Sequence, residues 1–91
     1  MAGLLLYKQG FLISFETMNQ EKNEIIKKVG ENIRKQRALQ NLTIEKLALS
    51  ANMEYSQISR IERGVINTSL YHVYRISKCL GVPLKEILSD L

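Results

Sequence analysis

An all-α fold of five helices is what this sequence predicts, and three observations carry the expectation. Apolar residues recur at three- and four-residue steps from Ile26 to Leu88. Helix punctuation falls between these runs, with Thr43 and Ser69 as N-caps and Asn41, Asn52, Gly64 and Gly81 as stops. Of 91 residues, 45% are hydrophobic and only Pro83 is proline. That suits one small helical domain and not a disordered chain.

The chain divides at Met18, giving an N-terminal extension over residues 1–18 and a helical domain over residues 19–91. In the extension, apolar runs Leu4–Tyr7 and Phe11–Phe15 flank Lys8-Gln9-Gly10, a pattern that resembles a short β-hairpin. A loose arm, or extra residues ahead of a natural start at Met18, fits the same residues. If the segment is ordered, its apolar side chains need cover, and a partner subunit is the natural source. A secretory signal is rejected, because the start is not basic, Lys8 interrupts the apolar run and no small-residue cleavage site follows. No apolar run approaches the length of a membrane span.

Helix one is expected from Gln20 or Glu24 to Gln40, with Ile26, Val29, Ile33 and Arg37 along one face. Gly30 lies inside it at a cost of about 1 kcal/mol relative to Ala, which points to a closely packed neighbour. Helix two should run from Ile44 to Ala51, with Glu45 in its first turn and Leu47 and Ala48 facing inward. Asn52, Met53 and Glu54 then turn the chain into a third helix, Tyr55 to Arg63. Two short helices joined by so short a turn make a helix-turn-helix unit. A loop from Val65 to Thr68 precedes helix four, where Leu70, Val73, Ile76 and Leu80 take core spacing. Gly81 closes that helix, Pro83 suits the first turn of the last one, and Leu84, Ile87 and Leu88 form its apolar stripe.

Thirteen Lys/Arg against nine Asp/Glu leave a net charge of +4, which favours an acidic partner but decides little alone. The single Cys79 excludes an internal disulfide and a Cys-based zinc cluster, and with only His72 beside it no metal-ligand set exists. No nucleophile–base pair is visible either, so neither an enzyme nor a cofactor is expected. His72 reads as a surface side chain and Cys79 as a semi-buried small apolar residue. A lone cysteine fits a reducing compartment, with the cytoplasm as default.

The third helix decides the functional reading. At about 100° per residue, Ile58 and Ile61 mark its buried side, and Ser56, Arg60 and Arg63 cluster opposite. Ser59 lies beside them, with Tyr55 and Gln57 on the flanks. An ordinary solvated face would look similar. Yet the short hydroxyls permit close approach, a guanidinium can fork onto guanine, and Gln can pair bidentately with adenine. Glu62 adjoins the Ile58/Ile61 side, where an unpaired carboxylate is costly, and Arg37 on helix one is its natural partner.

The stretches GENIRKQR, LTIEKLA, YSQISRIERG and NTSLYHVYRISKCLGVPLKEIL, in that order, resemble the lambda-repressor-like, Xre-type helix-turn-helix family of transcription regulators. The likeness spans about Val29 to Leu88. It implies a third helix in the major groove of double-stranded DNA, with base edges facing Tyr55, Ser56, Gln57 and Arg60, and Ser59 adjacent. It assigns phosphates to Thr43, Asn67 and Thr68, together with Lys46 and Arg63, and matches Arg37 and Glu62 to the family's interior ion pair. Asn41 and Asn52 replace frequent glycines, a conservative change in a left-handed turn, and two further positions depart from the pattern. Ile44 replaces a frequent Gln that contacts phosphate, leaving the helix N-terminus to do so. Glu54 replaces a common Ser, Thr or Asp cap.

The resemblance points to compact members such as restriction–modification controllers, small phage repressors or antitoxin-type autoregulators. It implies a homodimer on an inverted repeat, with half-sites roughly 34 Å apart. The candidate dimer surface comprises Val82, Leu84, Ile87, Leu88 and Leu91, joined by the N-terminal apolar runs, with Leu84 and Leu88 expected in the core and Leu91 outside it. Tyr71 and Tyr74 fit either an interface or the edge of the core. The rival expectation is an antitoxin-like module that binds a toxin-like protein through LLLYKQGFLISF.

Overall fold

The computed structural model describes residues 4–6 and 12–91. Five helices follow a two-stranded ribbon: β1 (Leu4–Leu6), β2 (Leu12–Ser14), α1 (Phe15–Leu39), α2 (Ile44–Ala51), α3 (Tyr55–Glu62), α4 (Leu70–Leu80) and α5 (Leu84–Ile87). The strands pair antiparallel, with Leu4 opposite Ser14 and Leu6 opposite Leu12. The break expected at Lys8–Gly10 lies outside the described residues.

Helix one begins at Phe15, ahead of the expected Gln20 or Glu24, and runs unbroken across residues 18 and 19. The reason is local. Ser14 is an N-cap whose hydroxyl accepts the Thr17 backbone N–H at 3.1 Å, with Glu16 favourably placed in the first turn. Residues 15–25 are exposed except for half-buried Met18, so no apolar stripe announced this part of the helix. Its C-terminal half packs inward through Val29, Gly30, Asn32 and Ile33.

Ile33, Leu47, Ala48, Ile58, Ile61, Val73, Ile76, Leu80 and Ile87 form one buried cluster, to which every helix contributes. Gly30 is where α1 meets α3 most closely: a Cβ there would collide with the Ile61 carbonyl oxygen and lie 2.7 Å from that of Glu62. The expected close neighbour is therefore the backbone of α3. Leu70, expected in the core, is 68% exposed instead. It occupies the first position of α4, and the buried arc of that helix runs through Val73, Ile76, Ser77 and Leu80. Ile87 leaves the candidate dimer surface, because it is fully buried within its own chain. Val82, Leu84 and Leu88 pack partly against the core, whereas Leu91 is 58% exposed.

Distant side chains cap the ends of several helices. The Asn32 amide donates to the carbonyls of Ile87 (2.8 Å) and Ser89 (2.9 Å). Gln40 Nε2 donates to Leu80 O at 2.6 Å, and Arg75 Nε to Ala51 O at 3.1 Å. Apart from that to Ser89, which lies just beyond α5, each bond satisfies a C-terminal carbonyl that the helix itself leaves open.

Candidate nucleic-acid interface

Thr43 starts α2, its hydroxyl oxygen accepting the Lys46 N–H at 3.1 Å. Asn52 ends the helix in the left-handed conformation at φ 56°, which Asn tolerates better than other residues with a side chain. Met53 N–H then closes the turn on Ala48 O at 2.9 Å, and α3 starts at Tyr55. Glu54 occupies its N-cap position but makes no side-chain cap. Its carbonyl accepts from Gln57 and Ile58 instead. Arg63 is the C-cap of α3, and Gly64 reverses the chain at φ 68°.

Burial sorts α3 as the helical wheel predicts. Ile58, Ile61 and Glu62 are buried, Gln57 and Ser59 half-buried, and Tyr55, Ser56, Arg60 and Arg63 exposed. Glu62 forms a bidentate pair with Arg37, Nε to Oε2 at 2.7 Å and Nη2 to Oε1 at 2.9 Å. The third guanidinium nitrogen, Nη1, donates to Leu42 O at 2.8 Å, so one side chain ties α1, the α1–α2 turn and α3 together. Hydrogen bonding to Glu62 raises the Arg37 pKa above its ordinary value against the opposing effect of burial, with the Glu62 charge assisting. The clamp also turns the one carboxylate of α3 away from its outer face. What remains outside is short hydroxyls, an amide, a phenol and two guanidiniums.

Arg60 extends outward with no protein partner among the described residues. Arg63 Nε donates to Ser59 Oγ at 3.2 Å, which lays its guanidinium along the same face with both Nη groups uncommitted among the described residues. Lys46 and Asn67 are exposed. Thr43 commits one oxygen lone pair to its own cap while its O–H stays available as a donor.

Gln57 and Thr68 meet through His72. His72 Nδ1 lies 3.2 Å from Gln57 Nε2 and 3.2 Å from Thr68 Oγ1. His72 is thus half-buried and partnered, contrary to the surface role expected of it. The four-residue step from Thr68 to His72 was readable in the chain, whereas the approach of Gln57 depends on how α3 packs beside α4. Cys79 is half-buried against the core, as expected. Tyr71 and Tyr74 are both exposed, Tyr74 beneath the Lys78 ammonium at 6.0 Å.

A helix-turn-helix family model, HTH_3, matches residues 33–87. Control protein C.BamHI of Bacillus amyloliquefaciens is 42% identical over 60 residues, covering 65% of this chain and 74% of that protein. The restriction–modification controller protein C.AhdI from Aeromonas hydrophila superposes with a TM-score of 0.66 at 27% identity, over 68% of this chain and 94% of that one. SinR, the master regulator for biofilm formation solved in complex with DNA, gives a TM-score of 0.63 at 27% identity, over 67% and 98% of the two chains. With the family model matching more than half of the chain and these relatives beside it, the chain belongs to the helix-turn-helix family of Xre-type, lambda-repressor-like transcription regulators.

Proposed function

We propose that this protein is a sequence-specific DNA-binding regulator that occupies an operator as a homodimer, with α3 in the major groove. One observation carries the reading: Glu62 is drawn inward by Arg37, so the outer face of α3 presents Tyr55, Ser56 and Arg60 with no carboxylate among them. In this proposal Tyr55, Ser56, Gln57, Ser59 and Arg60 face base edges, while Thr43, Lys46, Arg63, Asn67 and Thr68 hold phosphates. The bases supply selectivity and the phosphates supply affinity and its salt dependence. The likeness to control proteins and to a regulator solved with DNA supports the assignment. Exposed Leu91 is the apolar residue offered to a second copy, and the reducing cytoplasm suits the free Cys79.

Selection of bound duplexes from a random library, at stated salt, tests the proposal. A palindromic motif is expected. Absence of any enriched sequence would refute it and favour a protein partner instead. Arg60→Ala should reduce discrimination at one base position by about 1–3 kcal/mol, whereas Lys46→Ala should weaken all duplexes alike and lower the salt slope by about one.

A further inference from the structure

We infer that His72 is a positioning residue that sets which hydrogen-bonding edge Gln57 offers to DNA, and thereby a preference for adenine at one base position. The inference rests on the DNA-binding proposal above. Its structural basis is the 3.2 Å separation between Gln57 Nε2 and His72 Nδ1.

An amide nitrogen only donates, so Nδ1 must be the acceptor, and the neutral ring carries its proton on Nε2. Ser69 fixes the backbone beneath the ring, its hydroxyl accepting the His72 N–H at 3.1 Å at the start of α4. The imidazole is therefore held on a rigid helix end and does not follow the amide. Nδ1 has one in-plane lone pair and two donors within reach, Gln57 and the Thr68 hydroxyl. A hydroxyl rotates freely to another acceptor, whereas the amide edge is fixed once Nε2 is engaged. Thr68 is thus left able to turn its O–H to a phosphate while Gln57 keeps the ring.

With one amide hydrogen on His72, Gln57 retains its other N–H and Oε1, which has no protein partner among the described residues. That remaining donor–acceptor pair is the one that matches adenine, Oε1 accepting from N6 and N–H donating to N7. Without His72 the amide is free to rotate about its last torsion and offers either edge, so the same side chain loses its preference. No charge is involved in this selection. The imidazole acts as a template for an amide that lies outside the core.

The test compares library selections for the wild type, His72→Phe, His72→Asn and Gln57→Ala. Melting curves confirm that each variant is folded. For the wild type, one adenine position is expected that Gln57→Ala relaxes. His72→Phe, which keeps the ring and removes the acceptor, should relax the same position by about tenfold and leave the rest of the motif intact. His72→Asn, whose carbonyl oxygen can stand where Nδ1 stood, should restore the preference. Imidazole nitrogen spectra of the free protein should show the Nε2–H tautomer. An unchanged motif for His72→Phe, uniform weakening across all positions, or an Nδ1–H tautomer would overturn the assignment while leaving DNA binding standing. A wild type that enriches no sequence would overturn both.

Discussion

Replacing Glu62 by Gln tests the clamp that orients α3 with almost no change in shape. The wild-type carboxylate accepts two guanidinium N–H groups at 2.7 and 2.9 Å, and the two side chains are only 16% (Arg37) and 4% (Glu62) exposed. Gln offers one oxygen and turns an NH2 donor toward the second guanidinium N–H, leaving a buried cation without its counter-charge. Breaking one partner of a buried pair costs about 3–5 kcal/mol, and the retained hydrogen bond places Glu62→Gln near the lower end, about 3 kcal/mol. Against a total stability of roughly 5–14 kcal/mol for a chain this size, that is a large fraction. At about 4–8 °C per kcal/mol, Tm should fall by about 12–24 °C in a thermal melt followed by far-UV circular dichroism. Removing both charges together, Arg37→Met with Glu62→Leu, should recover most of the loss, since an apolar pair carries no desolvation cost. An unchanged Tm for Glu62→Gln would refute the account. So would a double variant as unstable as the sum of its singles. The pH dependence has a definite sign. Because the folded-state pKa of Arg37 is raised, its contribution is complete below the unfolded-state pKa and lost only as pH rises through the folded value. Raising the pH to about 11 should therefore leave the Arg37 half of the clamp charged.

Gly30→Ala should destabilise by about 1–3 kcal/mol despite the roughly 1 kcal/mol helix-propensity gain, because the new methyl displaces the α3 backbone; an unchanged or higher urea midpoint would contradict that close approach. Asn52→Ala should cost about 1–2 kcal/mol at φ 56°, whereas Asn52→Gly should be nearly neutral, and equal losses for the two would show that the left-handed turn is not the cause. Asn32→Leu leaves the Ile87 and Ser89 carbonyls without their donor and should cost about 1–3 kcal/mol by chemical denaturation; full retention of stability would remove that cap from the account.

Helix order, both inner turns and the ion pair were legible because each rests on local chemistry. Thr43 and Ser69 cap within three residues, Asn41 and Asn52 take positive φ, and Ile58 and Ile61 fix which way Glu62 points. The start of α1 ahead of Gln20 was not legible, since the largely exposed and polar run after Phe15 has no buried face to impose a period. Leu70 misled because hydrophobic spacing says nothing about where a neighbouring element ends. His72 was overlooked for the same reason in reverse. Its Gln57 partner lies fifteen residues away on another helix, and only packing brings amide and imidazole together. Asn32 is a similar case, a polar residue buried on an apolar face because its amide reaches the end of α5.

The distant caps bear on how the molecule opens. A helix end that closes only on its own backbone frays alone, and its amides exchange with solvent independently of the rest. Here α5 cannot loosen without releasing Asn32 from α1, nor the end of α4 without Gln40, nor the end of α2 without Arg75 on α4. Opening one terminus therefore draws in a helix remote in the chain. Amide exchange across Ile33–Ile87 should proceed as a single cooperative unit, while the exposed start of α1, which none of these bonds reaches, exchanges ahead of it.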